Sequence, residues 1–123
     1  MTLTLGMITT NALDASALAA WWARQFDASP VFDAEGEFVI IAGGTLPVNL
    51  GFQKVAEPTP GHNRLHLDLG APDMDAAVEQ LVAAGAQVVG TRGESGLVWV
   101  TLTDPEGNEF CVTSSHAAES ELT

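Results

Sequence analysis

The order of elements written along this chain occurs twice, and that repeat limits the fold more than any single motif does. Leu3 to Thr9 alternates as a strand would. Asn11 and Asp14 offer N-cap oxygens, and Leu13, Leu18, Trp21, Trp22 and Phe26 recur at helical spacing through Phe26. Pro30–Phe32, Phe38–Ala42 and Val48–Val55 read as three further strands, divided by Glu35-Gly36 and Gly43-Gly44. After a Pro- and Gly-containing stretch the order begins again. Leu65–Leu69 is a strand, Pro72-Asp73 opens a helix carrying Met74, Val78, Leu81 and Val82, and Gly85 ends it. Gln87–Thr91, Leu97–Thr103 and Glu109–Thr113 are strands, with turns at Gly93–Gly96 and Asp104-Pro105-Glu106-Gly107-Asn108. Met7 lies seven residues before Asp14, and His66 lies seven before Asp73. The expectation is an α+β fold of two tandem βαβββ modules: module one about 1–56, a linker at 57–63, module two about 64–114 and a tail at 115–123. Two such modules give a curved mixed sheet with the helices on its convex side.

At 123 residues the chain is one domain in size and buries roughly two-thirds of its unfolded surface without a disulfide or metal. It has a single cysteine, Cys111, so no intrachain disulfide can form, which fits a cytoplasmic protein. No basic region precedes an apolar stretch at the N-terminus, and no apolar run approaches the ~20 residues of a membrane span. Sixteen acids against four bases give a formal charge of −12. A phosphate backbone is bound through Lys and Arg, so neither nucleic acid nor an anionic membrane is an expected partner. A small-molecule ligand is.

Strand parity sorts the side chains. If Leu65, Leu67 and Leu69 face the helices, then Arg64, His66 and Asp68 face the concave side. Val98, Val100 and Leu102 leave Trp99, Thr101 and Thr103 there; Phe110 and Val112 leave Glu109, Cys111 and Thr113; Leu50 and Phe52 leave Asn49, Gly51 and Gln53. Matching the halves adds Leu5, Met7 and Thr9.

Four segments carry a family resemblance: Leu50-Gly-Phe-Gln53, Asn63-Arg-Leu-His-Leu-Asp-Leu69, Ala83-Ala-Gly-Ala86 and Asp104-Pro-Glu-Gly-Asn-Glu-Phe-Cys-Val112. Over Leu3–Thr113 the chain resembles the vicinal oxygen chelate superfamily, which includes glyoxalase I, bleomycin-resistance proteins and extradiol dioxygenases. Within it, the chain is similar to glyoxalase-like domain proteins of the actinobacterial type. The resemblance implies a ligand pocket on the concave face, lined by Met7, Thr9, Gln53, Arg64, His66, Asp68, Trp99, Thr101, Glu109 and Cys111. In metal-using relatives, strands one, four, five and eight supply His, Glu or Gln ligands. Those positions fall here on Met7, on Gln53 with Gly51 as the alternative, on His66 and on Cys111. Glu109, two residues earlier, could replace Cys111 only through a register shift. The metal candidates are therefore His66, Gln53, Glu109 and Cys111, against a poor thioether at Met7. The cofactor is either absent or a divalent metal.

Other roles stay open at this point. His66 is a general base oriented by Asp68, or hydrogen-bonds a ligand or neighbour. Cys111 is a nucleophile, or a small buried apolar residue. Trp99 stacks on a flat ligand, or packs in the pocket wall. Arg64 receives a carboxylate, or pairs with surface acids. Of the adjacent Trp21 and Trp22 only one is expected to face the core; the other marks a subunit contact of a homodimer or stands half exposed. The functional expectation is a small-molecule binding protein without a complete catalytic metal site. The alternatives are a metal-dependent lyase or isomerase resembling glyoxalase I, and a degenerate accessory or regulatory domain.

Overall fold

The computed structural model describes residue 2 and residues 5–61, 65–94 and 96–114. The expectation for Arg64 lies outside them, as does the tail from 115 onward. The chain divides into two compact units, residues 1–60 and 61–123. Each holds four strands and one helix among the described residues.

In the first unit the elements are β1 (Met7–Ala12), α1 (Ala15–Phe26), β2 (Ser29–Asp33), β3 (Phe38–Ala42) and β4 (Asn49–Lys54). In the second they are β5 (Leu67–Ala71), α2 (Met74–Ala83), β6 (Gln87–Glu94), β7 (Leu97–Thr103) and β8 (Glu109–Ser114). The strand orders are β1-β4-β3-β2 and β5-β8-β7-β6, so the repeat of order in the sequence is also a repeat of topology. In each sheet the first and last strands pair in parallel and the other neighbours pair antiparallel. The fold is α+β, in two four-stranded mixed sheets.

Both helices start where the chain predicts. The Asp14 carboxylate accepts from the Ala17 amide at 3.0 Å, and the Asp73 carboxylate accepts from the Ala76 amide at 3.1 Å. Asn11 is not a cap. It belongs to β1 and donates its amide to the Thr59 hydroxyl.

Both opening strands lie later than the alternation suggests. β1 is displaced from Leu3–Thr9 to Met7–Ala12, and β5 from Leu65–Leu69 to Leu67–Ala71. The cause is pairing: β1 forms its ladder with Asn49–Lys54 and β5 with Phe110–Ser114, and these partners fix the ends. Leu5 and Leu65 are left at 70% and 81% exposure, so Leu65 does not face a helix as expected. Val82 and Val98 are also half exposed, against expectation. On α2 the stripe narrows to Met74, Val78 and Leu81, with only Leu81 fully buried. Val98 stands opposite Gly93, which has no side chain to cover it.

The expectation that one of Trp21 and Trp22 looks outward is corrected: both are buried. Their rings meet edge to face at 4.9 Å, and Trp22 stacks on Phe26 at 5.8 Å. Ala15, Ala19 and Ala23 on the same helix are buried too. Such small residues widen the buried face beyond a single stripe, which is why two adjacent indoles both fit.

The 104–108 turn sets the β7–β8 register. Asp104 is buried, and its carboxylate accepts from the amides of Glu106 and Asn108 and from the Asn108 side chain, at 2.9–3.1 Å. Gly107 closes the loop at φ 88, a conformation that favours glycine. Asp104→Ala removes the acceptor for several partly buried donors, and its expected cost is about 2 kcal/mol in urea unfolding. Asp104→Asn, which keeps an acceptor, is expected to cost less.

Candidate functional site

Each sheet buries one face, and the opposite face is where the candidate residues stand. In the second unit Val100, Leu102, Phe110 and Val112 are buried, leaving Trp99, Thr101 and Thr103 on β7 and Glu109, Cys111 and Thr113 on β8 to the other face. On β5 the half-buried Leu67 and Leu69 alternate with the exposed Asp68. His66, just before β5, continues the parity of Asp68.

Parallel pairing puts Asp68 opposite Cys111, and antiparallel pairing puts Thr101 opposite Cys111 from the other side. His66 Nε2 lies 3.3 Å from Asp68 Oδ1. Their side chains are 50% and 72% exposed. Ligating atoms of His66, Asp68 and Cys111 all lie within 4.8 Å of one another. The Cys111 thiol and the Thr101 hydroxyl stand 3.5 Å apart, either able to donate, and Thr101 is buried. Trp99, half-buried, sits opposite Thr113, whose hydroxyl donates to the Val98 carbonyl. Glu109 stands opposite Thr103 at the start of β8. The β7–β8 register runs unbroken from there to Thr113, so no shift carries Glu109 to the place of Cys111.

The first unit offers different chemistry. Met7 and Thr9 on β1, Gly51 on β4 and Phe38 on β3 share its open face. A Cβ built on Gly51 would meet Met7 Sδ and Phe38 Cζ at 3.0 Å and Thr9 Oγ1 at 3.1 Å. Gly51 pairs with Thr9 as Cys111 pairs with Asp68, and β1 leads β5 by the same offset that separates Met7 from His66. Gly51, rather than Gln53, is thus the β4 counterpart of Cys111. Gln53 lies two residues on, opposite Asn11 and Phe38. The first sheet therefore presents a thioether and a bare backbone where a hard-ion site needs imidazole or carboxylate. The side chains of Met7, Thr9 and Phe38 already close the space over Gly51. A catalytic centre for manganese, nickel or magnesium built on these four strand positions does not fit the residues present.

Three features of the site were not legible in the pattern. Asp68 was expected to orient His66, and its carboxylate also lies within 4.8 Å of the thiol. Phe38 and Asn11 share the open face of the first sheet. For Asn11 a signal existed, since it continues the parity of Met7 and Thr9 once β1 is known to run to Ala12.

Gly51→Ala is expected to cost about 1 kcal/mol, because flexible side-chain ends must yield to the new methyl. Adding Met7→Ala is expected to return part of that loss, as a double-mutant cycle by thermal unfolding would read.

Comparison with known proteins agrees with this architecture. The family model described as "Glyoxalase-like domain" matches residues 7–113. Among curated proteins none matches. Solved structures do. A glyoxalase/bleomycin resistance protein/dioxygenase family enzyme from Burkholderia phytofirmans is 18% identical at TM-score 0.75, over 91% of this chain and 98% of that one. A fosfomycin resistance protein from Listeria monocytogenes, complexed with Mn(II) and 1S,2S-dihydroxypropylphosphonic acid, is 14% identical at TM-score 0.77, over 93% and 91%. The bleomycin resistance determinant of transposon Tn5 is 16% identical at TM-score 0.64, over 91% and 98%. At these identities the likeness is one of fold. With a family model matching nearly its whole length, this chain belongs to the glyoxalase-like domain family.

Proposed function

We propose that the chain is a small-molecule binding protein whose ligand contacts the open face of the β5-β8-β7-β6 sheet. The observation that carries this reading is the placement of His66, Asp68, Cys111 and Thr101 in one polar cluster, with Trp99 on the same face. A few convergent polar groups beside an aromatic wall suit an organic ligand with a flat or apolar body and a hydrogen-bonding head. Glu109, at the start of β8 on the same face, belongs to the same proposal as a polar contact. In this reading His66 hydrogen-bonds the ligand, held by Asp68, and Cys111 packs against it.

The alternative of a metal-dependent lyase or isomerase is disfavoured by Met7 and Gly51, which offer no ligand for a hard ion. A bleomycin resistance determinant and a fosfomycin resistance protein share the fold, so these antibiotic classes are sensible first probes. The reading also places the chain in the cytoplasm as a homodimer. The surface available for pairing is β2, where Val31 and Phe32 are 62% and 52% exposed at a sheet edge. No helix among the described residues is long and apolar enough to cross a membrane.

A thermal-shift screen of bleomycin, fosfomycin and a metabolite panel tests the reading. A ligand at 100 times its Kd is expected to add about 2.7 kcal/mol of stability. Trp99→Ala and His66→Ala should each weaken it about tenfold or more. Turnover of a hemithioacetal-type substrate, lost in His66→Ala with the fold intact, would overturn binding without catalysis. For assembly, sedimentation at micromolar concentration is expected to give a dimer mass, and a monomer would contradict it.

A further inference from the structure

The edge strand β6 carries a bulge, and the bulge decides which face Arg92 takes. Val88 stands opposite Leu102 and Gly90 opposite Thr101, so Val89 is an extra residue with no partner in the ladder. Without it Arg92 would fall opposite Val98, on the side of the buried Val100 and Leu102. With it, Arg92 stands directly opposite Trp99, on the open face. Opposed residues of an antiparallel pair share a face with Cβ atoms about 5 Å apart, within reach for a guanidinium and an indole.

The same bulge brings Gly90, and not Val89, to the place beside Thr101. A Cβ built on Gly90 meets nothing within 4 Å, and Gly90 is not among the glycines at positive φ. Neither crowding nor backbone conformation requires a glycine there; its effect is to leave open space over bare backbone. Gly51 pairs with Ile40 as Cys111 pairs with Thr101, so the matching place in the first sheet is the one opposite Ile40. Phe32 stands there, again just past a bulge. The topology therefore accepts a large side chain at this position, and the second sheet does without one.

Arg92 is exposed, and it is the one Lys or Arg among the described residues of the second unit. No ion pair holds its guanidinium among the described residues, although the chain carries 16 acids against four bases. A fork of N–H donors beside an indole and an unfilled floor suits a flat body that ends in a carboxylate. The indole stacks on the ring, Gly90 leaves room for it, and the guanidinium donates to both carboxylate oxygens.

We propose that Arg92 sets the charge specificity of the open face, and that the ligand is a flat aromatic carboxylate lying over Gly90 and Trp99 with its carboxylate on Arg92. This inference rests on the small-molecule reading and deepens it by naming the ligand class.

The test is a 1H–15N NMR titration of the full chain with benzoate, 2-naphthoate and indole-3-acetate, each against its primary amide. The acids are expected to shift the Trp99 indole N–H and the Gly90 amide, and to bind about 10–100-fold more tightly than the amides. Arg92→Gln should remove that difference while leaving amide binding unchanged, and Arg92→Lys should restore part of it. Gly90→Val, which fills the open space, should weaken acid and amide alike. Arg24→Gln, at an exposed cation of α1 in the first unit, should change neither. Acid and amide bound equally, with Trp99 shifting, would overturn the charge assignment and leave the small-molecule reading standing. An acid preference that persists in Arg92→Gln would overturn it as well. So would acids that leave Trp99 and Gly90 unshifted; a ligand from the wider screen that shifts the His66 and Cys111 amides would then keep the small-molecule reading on its own.

Discussion

Everything at the candidate site depends on one pairing: the parallel ladder between the first and last strands of each unit. Parallel strands cannot be joined by a tight turn, so the intervening helix and two strands must be laid down before the ladder can close. In the second unit that ladder sets Asp68 against Cys111, residues far apart in the chain. The antiparallel β7–β8 hairpin then brings Thr101 to the other side of the same thiol. The buried Asp104 carboxylate fixes that hairpin by tying the turn to itself. The chemistry of the face thus rests on a turn that takes no part in it.

The two units share a topology but not a chemistry. Where the second sheet carries His66, Asp68 and Cys111, the first carries Met7, Thr9 and Gly51 at the matching places. Duplication supplies the scaffold, and side-chain choice then puts a thioether and a bare backbone on one sheet where the other carries imidazole and thiol. The fold itself is shared with antibiotic resistance proteins and glyoxalase-related enzymes, so fold alone does not choose between binding and catalysis. The donor set does bear on that choice, because a thioether and a glycine hold a hard ion poorly.

Much of this was legible in the chain, because the informative signals were local. Asp14 and Asp73 mark helix starts through their own side-chain oxygens, and β3 and β7 run over the residues that the sequence suggests, Phe38–Ala42 as a dense apolar run and Leu97–Thr103 between two turn signals. What was not legible depended on partners. The ends of β1 and β5 are set by strands that arrive much later in sequence, so alternation alone stopped the two strands at Thr9 and Leu69 and missed their true ends at Ala12 and Ala71. The burial of both Trp21 and Trp22 follows from the small residues around them, which a single-stripe view of a helix misses. Gly51 could be chosen over Gln53 only once the β1–β4 register was known, and the closeness of Asp68 to Cys111 only once β5 and β8 were paired.

The claim at the centre of this account is that the open face works through its own polar and aromatic groups and not through a hard-metal catalytic centre. Elemental mass spectrometry on protein purified from cells without an affinity tag addresses it most directly. The account predicts no stoichiometric manganese, nickel or magnesium. A near-stoichiometric hard ion that survives purification and is lost in His66→Ala would contradict it.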